Sequence, residues 1–452
     1  MKKIKLFSLA FVGFGLGLQA QTYKHIILIS IDGLHPDMYL DKSWPAPNLR
    51  ELMKHGTYAD HMLSVFPSYT YPSHAAMLTG ALPSRSGIYY NQPISSKGDW
   101  NWFASAVKVP TLWKVMKQAG LTTAAVEWPV SVGKDITWNI PEIWSDRYPD
   151  RITESRKYAT PGLVEEIEQN ATGKLDSDNM SEDRFSMDAN SARMAAYIFK
   201  TYHPALLAVH FAEVDGAEHA HGRDGDSVRL AVGAVDRAIG DVLEAVQRSG
   251  LKDSTVIVIV GDHGFSTIHT VFRPNMLIKD INATFIAAGG SAFLYRYADT
   301  KEEDVAEIIK STTQKLNALP KDKRKLFRIV YRKELNKMGA DSSAIMALAA
   351  VPGTVFSGST APAKATNKGP GTLIQNDPLA GVFIPTTGGH HGYDPNLPEM
   401  YTGFIAYGAG INKGGHIKEL CVTDIAPLIA NLLGIEFKTP DGKLISGIMR
   451  PN

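Results

Sequence analysis

Four apolar runs punctuate the chain. His25–Ile31 (HIILISI), Thr122–Val126, Ala205–Phe211 (ALLAVHF) and Thr255–Val260 (TVIVIV) are dominated by apolar residues and carry no charged carboxylate, Lys or Arg. Runs of this length without alternation have the pattern of strands buried on both faces of a parallel sheet. Between them the period lengthens to that of a helix. Val228–Gln247 places apolar residues at Val228, Ala231, Val232, Val235, Ile239, Leu243 and Val246, one stripe of an amphipathic helix. Another helical stretch ends at Gly120, and Ala75-Ala76-Met77-Leu78-Thr79-Gly80 has the look of a helix opening. Buried strands alternating with amphipathic helices predict an α/β fold, a doubly wound and mostly parallel sheet with helices on both faces. No internal repeat is visible.

Phe265 to Thr386 breaks this rhythm. It holds a helix candidate (Glu302 to Leu319), a basic run (Lys321 to Arg328) and a piece rich in Gly, Pro, Ala and Thr (Val351 to Leu373). Residues 265–386 are expected to form a smaller inserted lobe beside the site, with the basic run as a solvated face.

The N-terminus is patterned for export. Met1-Lys2-Lys3-Ile4-Lys5 is positive, Leu6 to Gly17 is apolar, and Leu18-Gln19-Ala20 precedes Gln21 as a cleavage site. Residues 1–20 therefore predict a bacterial signal peptide, leaving 21–452 as the catalytic domain in the periplasm or secreted. The apolar stretch is too short for a membrane span, and without a following Cys it is not a lipoprotein leader. The lone Cys421 rules out a disulfide scaffold and any zinc site built on several thiolates. Lys and Arg number 47 against 46 Asp and Glu, so no net field draws in nucleic acid or an anionic membrane.

Chemistry gathers where the predicted strands end, the edge at which open α/β sheets bind ligands. Asp32 follows the first run. Asp215 and His219 follow the third, four residues apart and so on one face of a helical turn. Asp262-His263 follows the fourth. His391 lies in Gly388-Gly389-His390-His391-Gly392-Tyr393-Asp394, with His390 a rival for the same role. Together these residues supply enough ligands for two divalent ions, and the His nitrogens favour zinc over magnesium or calcium. Thr70, in Phe66-Pro67-Ser68-Tyr69-Thr70-Tyr71-Pro72-Ser73-His74, offers a hydroxyl at a helix N-terminus. There a nearby dication would favour its ionisation and backbone N–H groups could hold an anionic oxygen.

In this order, Asp32, Thr70-Tyr71-Pro72-x-His74, Asp215-x-x-x-His219, Asp262-His263-Gly264 and His391-Gly392-Tyr393-Asp394 resemble the alkaline phosphatase superfamily. Within it the chain is most similar to the nucleotide pyrophosphatase/phosphodiesterase family, a likeness that includes Ser86-Gly87-Ile88 with Asn91, and Trp128-Pro129-x-Ser131. The resemblance implies an alkaline-phosphatase-like fold and two Zn2+ per chain. One zinc would be held by Asp215, His219 and His391. The other would be held by Asp32, Asp262 and His263, and also by the oxygen of Thr70, the implied nucleophile. The implied activity cleaves phosphodiester or phosphoanhydride bonds through a covalent threonine intermediate, on a small nucleotide-type or phospholipid-headgroup substrate. Asn91 and the Tyr71 N–H would hold a non-bridging oxygen, and a neutral amide there suits a diester with one negative charge.

Tyr71 and His210 occupy the positions of the family's substrate-contacting aromatics, with His210 the weaker platform. Glu218 stands where a small glycine is common and is expected either to face solvent, to sit behind the metal ligands, or to meet a cationic headgroup. A sulfatase is rejected because Thr70 cannot become formylglycine. A phosphonoacetate hydrolase shares the ligands and the Thr, and a non-catalytic zinc-binding relative is the remaining alternative.

Overall fold

The computed structural model describes residues 24–451 apart from 149, 182–184 and 362–378; the expected signal peptide therefore lies outside the described residues. An eight-stranded sheet forms the centre. Its strands are β1 (His25–Ile31), β2 (Thr57–Leu63), β3 (Thr123–Trp128), β4 (Trp138–Pro141), β5 (Leu206–Phe211), β6 (Thr255–Gly261), Phe404–Gly408 and Gly415–Cys421. From one edge the order is Gly415–Cys421, β2, Phe404–Gly408, β6, β1, β5, β3, β4. Only Phe404–Gly408 runs antiparallel to its neighbours, so the sheet is mostly parallel, as the apolar runs predict.

Residues of the three central strands alternate between two cores. Ile27, Ile29 and Ile31 of β1, with Leu207, Val209 and Phe211 of β5, pack beneath the helices Met187–Tyr202 and Asp226–Ser249. Ile26 and Leu28, with Val256, Val258 and Val260 of β6, pack beneath Thr70–Thr79, Leu112–Gln118 and Ile425–Leu432. Burial on both faces is why these strands are dominated by apolar residues. Strands at and toward the sheet margins are less uniformly apolar; β2 alternates between buried and partly exposed positions.

Between β6 and Phe404–Gly408 the described residues add no strand to this sheet. They build a four-stranded antiparallel sheet from Phe327–Tyr331, Met346–Ala350, Ser291–Arg296 and Ala283–Ala288, and a three-stranded one from Thr354–Phe356, Thr270–Phe272 and Phe383–Pro385. A separate core of Phe272, Phe285, Leu294, Leu316 and Leu348 fills this region. The helix expected at Glu302 to Leu319 spans Val305–Asn317 after a tight turn. The basic run divides into a short helix, Lys321–Arg324, and the start of strand Phe327–Tyr331.

Candidate active site

Register brings the carboxylates together. β6, β1 and β5 are neighbours, and Ile31 lies level with both Gly261 and Phe211. Asp32 and Asp262 therefore leave adjacent strands at the same height. Asp215 lies in the first turn of the helix Glu213–His221, which follows β5. His391 arrives from the other side, because Gly389–His390 pairs with Ser266–Thr267 and lays the His391 ring on that of His263 (centroids 3.7 Å apart).

Two groups result. In the first, His263 Nε2 lies 3.2 Å from Asp32 Oδ1 and 3.4 Å from Asp262 Oδ2. In the second, Asp215 lies 3.4 Å from His219 Nε2 and 3.7 Å from His391 Nε2. Potential ligand atoms cluster as Asp32–Asp262–His263, Asp215–His263–His391 and His219–His390–His391. His390, the sequence-level rival, thus also reaches this second group. His219 Nδ1 and His391 Nδ1 contact the backbone carbonyls of Gly389 (3.1 Å) and Ser68 (3.0 Å). With the proton on Nδ1, each keeps the lone pair of Nε2 for a metal.

The electrostatics call for a cation. Asp32 Oδ1 and Asp262 Oδ2 are buried with no hydrogen-bond partner among the described residues. Burial, then the charges of Asp262 and Asp215, push the Asp32 carboxyl well above its usual range. Burial and Asp215 push Asp262 up to about 7. Burial also holds His263 and His391 well below the ordinary imidazole value, so neither supplies compensating charge. Buried carboxylates beside neutral imidazoles fit a divalent ion with mixed oxygen and nitrogen ligands.

Thr70 opens the helix Thr70–Thr79, and its Oγ1 lies 3.3 Å from His263 Nε2. The backbone donors expected at this helix start are mostly engaged. Tyr71 N–H donates to Asn91 Oδ1 (3.0 Å), Pro72 has none, and Ser73 N–H donates to the Tyr69 carbonyl. The Tyr71 N–H is thus not the phosphate donor expected; it orients Asn91, which keeps its Nδ2 hydrogens to offer.

Thr70, Asn91, Asp32, Asp215, His219 and His391 all line one cavity of about 490 Å³. Two expected contacts do not. His210 is fully buried behind Asp32, its Nε2 3.3 Å from Asp32 Oδ2 and its Nδ1 3.2 Å from His74 Nε2. A His on the central strand β5 has its ring among these polar partners, where no substrate reaches it. The Tyr71 ring is buried too, edge-on to Trp100 (5.2 Å) and packed with Ala75, Ile88 and Val130. The aromatic surface of the cavity comes instead from Tyr69, Tyr90, Trp100 and Trp144, facing Ile286 to Ala288 of the strand Ala283–Ala288. The one sequence signal for part of this wall is the aromatic cluster Trp100-Asn101-Trp102-Phe103 in an otherwise polar stretch.

Glu218 neither faces solvent nor reaches the cavity. It is fully buried against Gly33, whose φ of +76° and tight fit explain the glycine: a Cβ there would lie 2.2 Å from Glu218 Oε2. Burial, with Asp215 beside it, holds the Glu218 carboxyl well above its ordinary value.

A mostly parallel sheet with carboxylates and imidazoles at one edge, around a hydroxyl at a helix start, defines an alkaline-phosphatase-like α/β protein. The family model for type I phosphodiesterase / nucleotide pyrophosphatase matches residues 26–394, and the chain belongs to that family. It is 24% identical to human ectonucleotide pyrophosphatase/phosphodiesterase family member 7, across 98% of this chain and 87% of that protein. It is also 24% identical to bis(5'-adenosyl)-triphosphatase enpp4 of Mus musculus, across 93% and 79%. The fold is similar to that of an inactive murine ectonucleotide pyrophosphatase / phosphodiesterase 5 in complex with AMP. That match has a TM-score of 0.65 and 18% identity, and covers 93% of this chain and 97% of the other. Among the described residues no helix is long and apolar enough to cross a membrane.

Proposed function

We propose that the chain is an exported, zinc-dependent phosphodiesterase or nucleotide pyrophosphatase with Thr70 as its nucleophile. One observation carries the reading: the Thr70 hydroxyl opens on a cavity that is also lined by Asp32, of the buried Asp32–Asp262–His263 group, and by the partly buried Asp215 and His219 with the buried His391. Asp32, Asp262 and His263 would hold one ion, and Asp215, His219 and His391 the other. When bound, such ions supply Lewis acidity to the attacking and leaving oxygens.

The chain's own residues do the rest. Thr70 Oγ1 gives up its proton to solvent and attacks phosphorus in line, the bond to the leaving oxygen breaks so that an alcohol or phosphate departs, and the phosphoryl group is held as a threonine ester until water releases it. Asn91, fixed by the Tyr71 N–H, offers its Nδ2 hydrogens to a non-bridging oxygen. The described cavity lining includes no Lys or Arg, which suits a diester with a single negative charge. The aromatic wall suits a nucleobase or another flat or apolar substituent. Export to the periplasm or beyond rests on the pattern of residues 1–20.

The test is steady-state hydrolysis of bis-p-nitrophenyl phosphate, p-nitrophenyl phosphate and phosphonoacetate by the zinc-loaded protein. Preference for the diester, abolished in Thr70→Ala, is expected. Preference for the monoester would remove the role given to Asn91, and release of acetate from phosphonoacetate would replace the proposed reaction with C–P cleavage.

A further inference from the structure

Behind the aromatic wall lies a buried ionic layer that the proposed chemistry leaves unused. Glu127 and Glu142 are both buried, and Arg151 sits between them, Nη2 3.6 Å from Glu127 Oε2 and 3.6 Å from Glu142 Oε1. The same guanidinium lies 3.6 Å from the centre of the Trp144 ring. Trp144 Nε1–H in turn donates to Glu142 Oε1 (3.2 Å). Trp144 is therefore fixed at two points, its ring by the cation and its N–H by the carboxylate that pairs with that cation. Trp100 stacks on it at 5.5 Å with 25° between the planes, and both rings line the cavity.

The backbone beneath this layer is held in a costly conformation. Glu127 has φ +50° and Val130 φ +56°, the left-handed region that a branched residue such as valine rarely enters. Such positions persist where the surroundings over-determine them, and they collect at functional sites. Here the strained turn carries Glu127 under Arg151 and Val130 against Tyr71, the ring that buttresses Trp100.

We infer that Arg151 is a positioning residue. Clamped between Glu127 and Glu142, it holds Trp144 against Trp100 as a rigid wall and so gives the cavity its preference for phosphoesters bearing an aromatic group. The inference rests on the phosphodiesterase reading of that cavity. Rigidity is the point of the device: a pre-set ring loses little freedom when a second ring packs on it. A guanidinium is also the cation that can stack on an indole and pair with two carboxylates at once.

The test compares two ligands with the same anionic head. In zinc-loaded protein carrying Thr70→Ala, where no turnover interferes, calorimetry gives Kd for phenyl phosphate and methyl phosphate. Phenyl phosphate is expected to bind at least about tenfold tighter. Arg151→Lys keeps a buried cation between the glutamates and removes the planar stack; it is expected to cut that ratio to below about threefold, with methyl phosphate within about twofold. Trp144→Leu, which leaves the ion triad intact, is expected to abolish the ratio. With Thr70 restored, Arg151→Lys is expected to raise KM for phenyl p-nitrophenyl phosphate more than for methyl p-nitrophenyl phosphate, which shares the leaving group and differs only in the substituent retained on phosphorus, at nearly constant kcat. An unchanged ratio in Arg151→Lys, or equal weakening of both ligands, overturns the inference. An aryl preference that depends on Arg151, in a protein that hydrolyses neither diester, upholds the wall and overturns the proposed reaction.

Discussion

Asp262→Asn is predicted to have opposite effects on the metal-free and metal-loaded protein. Asp262 Oδ1 accepts hydrogen bonds from the backbone N–H groups of Gly33 (3.2 Å) and His263 (2.9 Å), and an asparagine oxygen can accept the same pair. Oδ2 is buried without a hydrogen-bond partner among the described residues, and it is there that the charge is costly. Burial and the Asp215 charge raise the carboxyl from 3.8 to about 7. At about 1.4 kcal/mol per pH unit, ionising it costs the metal-free fold on the order of 4 kcal/mol. The sign follows from the folded chain binding this proton more tightly than the unfolded one. Metal-free stability from this group falls as pH rises from about 4 to about 7 and is flat above that. Urea denaturation of chelator-stripped protein at pH 8 should therefore find Asp262→Asn more stable than the parent by several kcal/mol. The difference should shrink steadily toward pH 4, and relief of the neighbouring Asp32 adds in the same direction. With zinc present the order should reverse, because the variant has lost a ligand. An equal difference at pH 8 and pH 4.5, or none at either, would refute the claim that uncompensated charge dominates this site.

Three further outcomes follow from the geometry. Thr70→Ala should lower diester turnover by about a thousandfold or more while zinc content, read by atomic absorption, stays near that of the parent. His391→Ala should remove about one of two bound ions, whereas His390→Ala should not; the placement of His390 beside His219 and His391 makes this a sharp test, and equal loss from both would dissolve the distinction. Gly33→Ala should cost about 2–3 kcal/mol of stability by thermal or urea unfolding, since it meets both a positive φ and the Glu218 carboxyl. Glu218→Ala in the same background should restore part of that loss, and failure to do so would place the whole cost in the backbone.

What the sequence revealed and what it hid divide along physical lines. The central strands were legible because burial on both faces leaves an unbroken apolar run, and Asp32 and Asp262 were legible because each follows such a run directly. Parallel register then carries both to one height, a consequence of topology that needs no side-chain detail. Margin strands such as Gly415–Cys421 were not legible, since a half-exposed face admits Lys418 and Glu419 and weakens the pattern. His210 and Tyr71 failed for a different reason. Their positions along the chain were sound, but which way a ring turns depends on what else competes for the space behind it. His210 turns toward Asp32 and His74, and Tyr71 turns under Trp100. The wall that replaces them draws on residues separated widely in sequence, Trp100, Trp144 and Ile286 among them, and no spacing rule links such residues. Candidate metal-binding residues could be read from the sequence because carboxylates and imidazoles stand out at the ends of apolar runs. Substrate preference could not, because any large side chain that packs well can furnish a wall. The residue proposed to fix this wall, Arg151, does not itself line the cavity, so its role is visible only once the ring it holds has been placed.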